Sequence, residues 1–404
     1  MLYGILTFLL VTSIRIFHIS TTRIQSLFSL EDLIYNDVKR AASDLQAAIE
    51  QSEIPKSSAN YLRAITGYLP AGIPRFMDEF KSMYLSVAIM RTYQPRTIKT
   101  DLLIFCERSS QTELEELGCS TQKRLTWDES EKCVILFRED SLRKAARAYN
   151  VDPLSKYENA KSVDFLLGMN EQLMNTYDYL LRTDLDVFIT PGFADWLPNN
   201  LALLITGQGG YGSVNAEHHL KWISERLNLR NSGYTNIGST WYGATRALVA
   251  TADLSVSVMR WLHTQEFSEY DKCCSGVDGW PNWHYGVLSM YAGHIAVNSI
   301  DQKYLKVNEE DEYRMDFFSD SSDPLTSKVK HIHSWHTEKR FSKFQFQAGA
   351  YEDIDLTEFM DMSTARDYAT VIAVSSKRMV NEEFASIMQN HEQIKNGSWI
   401  KRTI

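Results

Sequence analysis

Between residues 61 and 189 the sequence alternates between short apolar runs and amphipathic segments, and that alternation limits the fold more than any other feature. Residues 61–66, 101–106 and 133–137 read as strands; 73–91, 141–149 and a longer stretch at 163–175 read as helices. Strands separated by helical segments indicate a parallel-type sheet with crossover helices, so the expected class is α/β. In open sheets of this kind, ligands sit beyond the carboxyl ends of the strands.

The next apolar run, residues 179–189, is interrupted by Asp184 and Asp186 and then meets Pro191-Gly192. If the run is one strand, residues two apart share a side, and both carboxylates face the same way. Two acids at the end of a buried strand repel and lose hydration, so a positive group should compensate them. A hard divalent cation bound through oxygen is the natural candidate, since Mg²⁺ or Mn²⁺ keeps coordination places for phosphate oxygens. The plainer reading is a solvated strand end. The apolar flanks speak against it.

Two further groups carry chemistry. His331, His333 and His336 fall within six residues of a chain that holds ten histidines, and imidazole is a common metal ligand. Lys330, Lys339, Arg340 and Lys343 surround them, a suitable setting for a diphosphate. No H-E-x-x-H or cysteine partner accompanies them, which a zinc site would call for. The second group is Asp278 with Trp280, Trp283 and His284 on a Gly/Pro-rich loop before an apolar helix. Tryptophan faces stack on sugar rings, and an adjacent acid can bind hydroxyls or serve as a general base. The glycine-rich stretch 207–212 fits neither a P-loop nor a dinucleotide fingerprint and reads as a close-packed turn.

Elsewhere, residues 31–52 are amphipathic, with Leu33, Val38, Ala41, Leu45 and Ile49 at helical spacing, and read as a helical stem or peripheral helix. Helices are expected at 218–229 and 249–263, and a strand at 368–375 followed by a helix and polar tail. The N-terminal apolar run, residues 2–14, is shorter than the span of about 20 a membrane requires. A signal peptide, a marginal anchor and an incomplete start all fit it. One glycosylation sequon occupies 396–398. The formal charge of −9 excludes a broad basic field, and with it a nucleic-acid partner. Five cysteines do not form a disulfide framework; Cys106 and Cys133 read as buried strand residues, and Cys273-Cys274 as loop neighbours.

The segments LRTDLDVF (181–188), IGSTWYG (237–243), WHYGVLSMYAGH (283–294) and HIHSWH (331–336) together resemble nucleotide-sugar glycosyltransferases of the GT-A fold. More narrowly they are similar to a eukaryotic family of such enzymes with no assigned substrate. The resemblance covers roughly residues 60–375. It implies a GT-A type, Rossmann-like mixed sheet flanked by helices, in a single large domain with an N-terminal helical extension. The implied divisions are 1–19 (signal peptide or anchor), 20–58 (stem), 59–376 (catalytic domain) and 377–404 (helix and tail).

The resemblance also implies roles. Asp186 ligates Mn²⁺ or Mg²⁺; Asp184 contacts the metal or the nucleotide ribose; His331 or His333 completes the site. Asp278 is the base or acceptor anchor, and Lys339, Arg340 or Lys343 offsets diphosphate charge. The donor is then a nucleoside diphosphate sugar and the acceptor a hydroxyl of a glycan, protein or lipid. The N-terminus would attach the enzyme to a membrane in the secretory pathway, in the Golgi or ER lumen. Rival readings are an inactive nucleotide-sugar-binding or scaffold protein of the same fold, and a metal-dependent hydrolase built on the histidines.

Overall fold

The structure is a computed structural model and describes residues 29–52, 60–138, 149, 151–198, 202–274, 283–334, 336 and 341–397. The N-terminal run, most of the helix expected at 141–149, the end of the sequon, and Asp278, Lys339 and Arg340 lie outside the described residues.

Strands β1 (Tyr61–Leu69), β2 (Ile98–Cys106), β3 (Cys133–Phe137) and β4 (Tyr179–Arg182) form parallel neighbours in the order β3-β2-β1-β4. Beyond β4 the pairing turns antiparallel. β7 (Ile237–Ala244) lies antiparallel to both β4 and β6 (Leu204–Gln208), and β8 (Leu305–Val307) closes that edge parallel to β6. The mixed, Rossmann-like α/β sheet expected from the sequence is therefore present.

Burial explains why these strands read as continuous apolar runs instead of alternating ones. Along β2, Leu102, Ile104 and Cys106 join one core while Leu103 and Phe105 join the other. Successive side chains point to opposite faces, and helices cover both. The longer helices among the described residues are α1 (Leu30–Gln51), α2 (Pro74–Thr92), α3 (Val214–Arg226), α4 (Thr245–Gln265), α5 (Leu288–Asn298) and α6 (Ala365–Arg378). α2 and α6 pack on one face; α1, α4 and α5 pack together on the other.

The stretch read as a stem is α1. Ser29 and Asp32 form its capping box, satisfying backbone N–H groups the helix start leaves free. Ile34, Val38, Ala41, Leu45 and Ile49 are buried, and Leu33 packs partly buried beside them. Lys39 also donates to the Leu227 carbonyl at 2.9 Å, fastening α1 to the end of α3.

Four expectations need correction. Residues 368–375 are not a strand but the middle of α6. Thr364 caps that helix by accepting from the Asp367 N–H, and every residue from Tyr368 to Ser376 is buried. A helix apolar on all sides lacks the 3.6-residue pattern that separates it from a buried strand. The helix read at 163–175 is interrupted: helical turns at Lys161–Asp164 and Phe165–Gly168 end there, and Glu171–Thr176 restarts behind the Asn170 cap.

The acid-bearing run is not one strand. β4 stops at Arg182, and the chain crosses to a second, three-stranded sheet of β5 (Val187–Ile189), β10 (His331–His333) and β9 (Phe317–Phe318). Asp184 and Asp186 lie on the connection between the two sheets. Two disulfides also form where no framework was expected. Cys119–Cys133 closes a loop against β3, where Ser120 pairs beside Val134, and Cys273–Cys274 joins sequence neighbours.

No helix among the described residues is long and apolar enough to cross a membrane.

Candidate active site

The crossing from β4 to β5 places both acids at the carboxyl end of the parallel strands. Thr183 still donates its N–H to the Thr66 carbonyl at 3.0 Å, so the chain leaves the first sheet only there. Four residues later β5 pairs antiparallel with β10, setting Val187 opposite His333 and Ile189 opposite His331. Ser334 donates to the Asp186 carbonyl at 2.9 Å and extends that ladder. Residues almost 150 apart in sequence are thereby held edge to edge.

The result is a convergence of Asp184, Asp186 and His333, whose ligand atoms all lie within 4.8 Å of one another. Each has its own support. Asp184 accepts from Ser239 Oγ on β7 at 2.8 Å and has the Arg182 guanidinium at 3.7 Å. Asp186 faces Lys343 Nζ at 2.7 Å and His333 Nε2 at 3.4 Å. The remaining ring nitrogen of His333, Nδ1, is 3.3 Å from the Asp316 carboxylate. Burial alone would raise the Asp186 carboxyl, but His333 and Lys343 outweigh it and hold Asp186 well below the usual carboxylate range. Behind them, burial and the nearby Asp186 push Glu79 up to about 7, while Lys343 at 3.9 Å pulls the other way.

His331 takes a different part. It is fully buried, accepts the Asp316 backbone N–H at Nδ1 (3.3 Å) and lies 2.8 Å from Thr183 Oγ1 through Nε2. Accepting at Nδ1 leaves the ring proton on Nε2, which donates to Thr183. Burial drops its pKa to about 4, so the ring is neutral. Both nitrogens are used inside the protein. Of the two histidines, His333 is the one beside both aspartates, and His331 packs behind it.

The triad sits where two cavities meet. One, of about 440 Å³, runs past Tyr68, Phe76, Glu79 and Lys343, beyond the end of β1. The other, of about 360 Å³, is bounded by Arg182, Ser239, Trp241 and Met290. Asp184 and His333 line both. Arg182 is buried under the second, donates twice to the Ser162 carbonyl and lies 5.3 Å from the Trp241 ring. Trp283 is packed on Tyr291 and Phe267, with centroids at 4.3 and 5.3 Å, so its ring faces are occupied by the protein.

Asp184, Asp186, His333 and Lys343 are thus brought together; Asp278, Lys339 and Arg340 lie outside the described residues. Sequence reasoning missed Ser239, Glu79 and Asp316. Asp316 left one faint signal, a lone acid between Met315 and Phe317 in an otherwise apolar triplet.

A model of the family described as "Domain of unknown function (DUF7164)" matches residues 57–402. The chain belongs to that family. No curated protein matches it. Among solved structures, the chain is similar to the apo structure of the WbbM bifunctional glycosyltransferase. That match has a TM-score of 0.38 and 10% identity, and covers 79% of this chain and 50% of the other. It is also similar to the apo form of mouse xyloside xylosyltransferase 1, with a TM-score of 0.34 and 9% identity, covering 62% of this chain and 85% of that one. The chain therefore spans half the length of the first of these proteins.

Proposed function

We propose that the chain is a metal-dependent glycosyltransferase that moves a sugar from a nucleoside diphosphate sugar to an acceptor hydroxyl. The observation that carries this reading is the convergence of Asp184, Asp186 and His333 at the carboxyl end of a mixed α/β sheet, between two cavities. The donor set fits a divalent cation: two carboxylate oxygens suit Mg²⁺ or Mn²⁺, and the imidazole favours Mn²⁺ of the two. When bound, such a cation supplies Lewis-acid stabilisation to a diphosphate leaving group.

The residues of the chain do the rest. Ser239 and Arg182 fix the Asp184 carboxylate, and Lys343 brings fixed positive charge beside Asp186, where leaving-group charge would grow. The cavity beyond β1 accommodates the nucleotide, and the one over Arg182 and Trp241 the transferred sugar and acceptor. Asp278 keeps its proposed role as base or acceptor anchor. Two disulfides support an oxidising compartment, and so the lumen of the secretory pathway. A histidine-based hydrolase is disfavoured, because His331 is spent in the core and cannot serve a zinc ion.

A thermal-shift screen of nucleoside diphosphate sugars, run with and without Mn²⁺, tests the reading. The expected result is stabilisation by one nucleotide class only when Mn²⁺ is present, followed by slow hydrolysis or transfer of that donor. Metal-dependent binding with no turnover on any acceptor would favour the inactive, nucleotide-sugar-binding alternative.

A further inference from the structure

We infer that Asp316 is the positioning residue of the candidate metal site: its buried carboxylate orients His333, and Gly207 is a glycine because it must fit there. The inference rests on reading Asp184, Asp186 and His333 as a cation site.

Four observations converge on Asp316. Its side chain is 3% exposed, and Oδ1 lies 3.3 Å from His333 Nδ1 while accepting from Thr240 Oγ1 at 2.6 Å. A ligand imidazole that gives its second N–H to a carboxylate has its tautomer and ring orientation fixed, leaving Nε2 directed at the metal. Here Nε2 is the nitrogen that faces Asp186. Second, the Asp316 backbone adopts φ of +53°, a left-handed conformation that aspartate and asparagine enter more readily than other residues with a side chain.

Third, two strands make room for it. A Cβ on Gly207 of β6 would lie 1.7 Å from Asp316 Oδ2; one on Gly238 of β7 would lie 2.8 Å from it and equally close to the Gly207 backbone. The carboxylate cannot swing aside without giving up Thr240 and His333. Fourth, Oδ2 is buried with no hydrogen-bond partner among the described residues, which is costly for a polar atom. A residue kept solely for packing would not carry that cost. The first glycine of the stretch at 207–212 thus owes its identity to a histidine ligand more than a hundred residues away.

The test is Mn²⁺ affinity, measured by electron paramagnetic resonance on the full chain. Five proteins are compared: the wild type, Asp316→Asn, Gly207→Ala, His333→Ala, and the Asp316→Asn/His333→Ala pair. Asparagine tolerates the left-handed backbone and keeps the shape of the side chain, so only the charge is removed. Asp316→Asn and Gly207→Ala should each weaken Mn²⁺ binding about 10–100-fold. In the His333→Ala background, Asp316→Asn should weaken it no further, because its effect passes through that ring. Gly207→Ala supplies the same reading if Asp316→Asn fails to fold. Undiminished affinity in the single variants, or an equal loss in both backgrounds, overturns the positioning role alone. A wild-type protein that binds no Mn²⁺ overturns the cation site, and the role of Asp316 with it.

Discussion

Replacing Asp186 with asparagine is expected to cut Mn²⁺-dependent turnover by about a hundredfold or more while leaving the protein folded. The substitution preserves volume and removes one negative charge from the place where Asp184, Asp186 and His333 meet. Fixed groups aimed at charge that develops in the transition state are typically worth two to three orders of magnitude each. Folding should survive because asparagine retains an oxygen able to accept from Lys343, now at 2.7 Å from the carboxylate. The assay is release of nucleoside diphosphate across a Mn²⁺ titration, with circular dichroism as the control for folding. Wild-type turnover at saturating Mn²⁺ would remove Asp186 from the chemistry. The same titration separates the two histidines: His333→Asn should follow Asp186→Asn. His331→Asn should keep its Mn²⁺ dependence and lose stability, since His331 bonds Thr183 and the Asp316 backbone.

The largest effect on stability is expected from Asp101→Ala. Asp101 lies on β2, fully buried, and accepts from Arg124 Nε at 2.7 Å and Nη2 at 2.8 Å. It also accepts from the Tyr177 hydroxyl at 2.9 Å and the Lys132 N–H at 2.8 Å. Arg124 is equally hidden, with 1% of its side chain exposed, and sits in the loop that the Cys119–Cys133 disulfide closes. Removing one partner of a buried pair strands the other's charge, which costs about 3–5 kcal/mol. Urea denaturation of the variant should show a loss of that size. A loss under about 1 kcal/mol would mean water reaches Arg124 once the acid is gone. Replacing both partners with apolar residues should cost less than the single change, because no charge is then left unpaired.

What could be read from the sequence follows from which interactions are local. β3 was legible at both ends because five apolar residues are bounded by polar ones. α1 was legible because it shows one apolar stripe, and α4 because its run of 21 residues is too long for a strand. α6 was taken for a strand because its fully buried stretch, Tyr368–Ser376, is short enough for a strand and shows no single apolar face. The aspartates were identified by residue type and apolar flanks, yet placed within a strand. That a chain leaves one sheet and enters another between Arg182 and Val187 depends on β10, which arrives from residue 331. The choice between His331 and His333 was closed to sequence for the same reason. In an extended segment the two are equivalent, and Thr183 beside His331 and Asp186 beside His333 separate them only after folding. Asp316 was the hardest to see, because its setting is built from β6, β7 and β10, each distant in sequence.

The most direct test of the central claim is anomalous X-ray scattering from crystals of the protein soaked with Mn²⁺ and a nucleoside diphosphate. The account predicts one strong manganese peak within coordinating distance of Asp186 and His333 Nε2, with diphosphate oxygens on its open side. A peak bound elsewhere, or one that His331 ligates while His333 stays turned away, would contradict it.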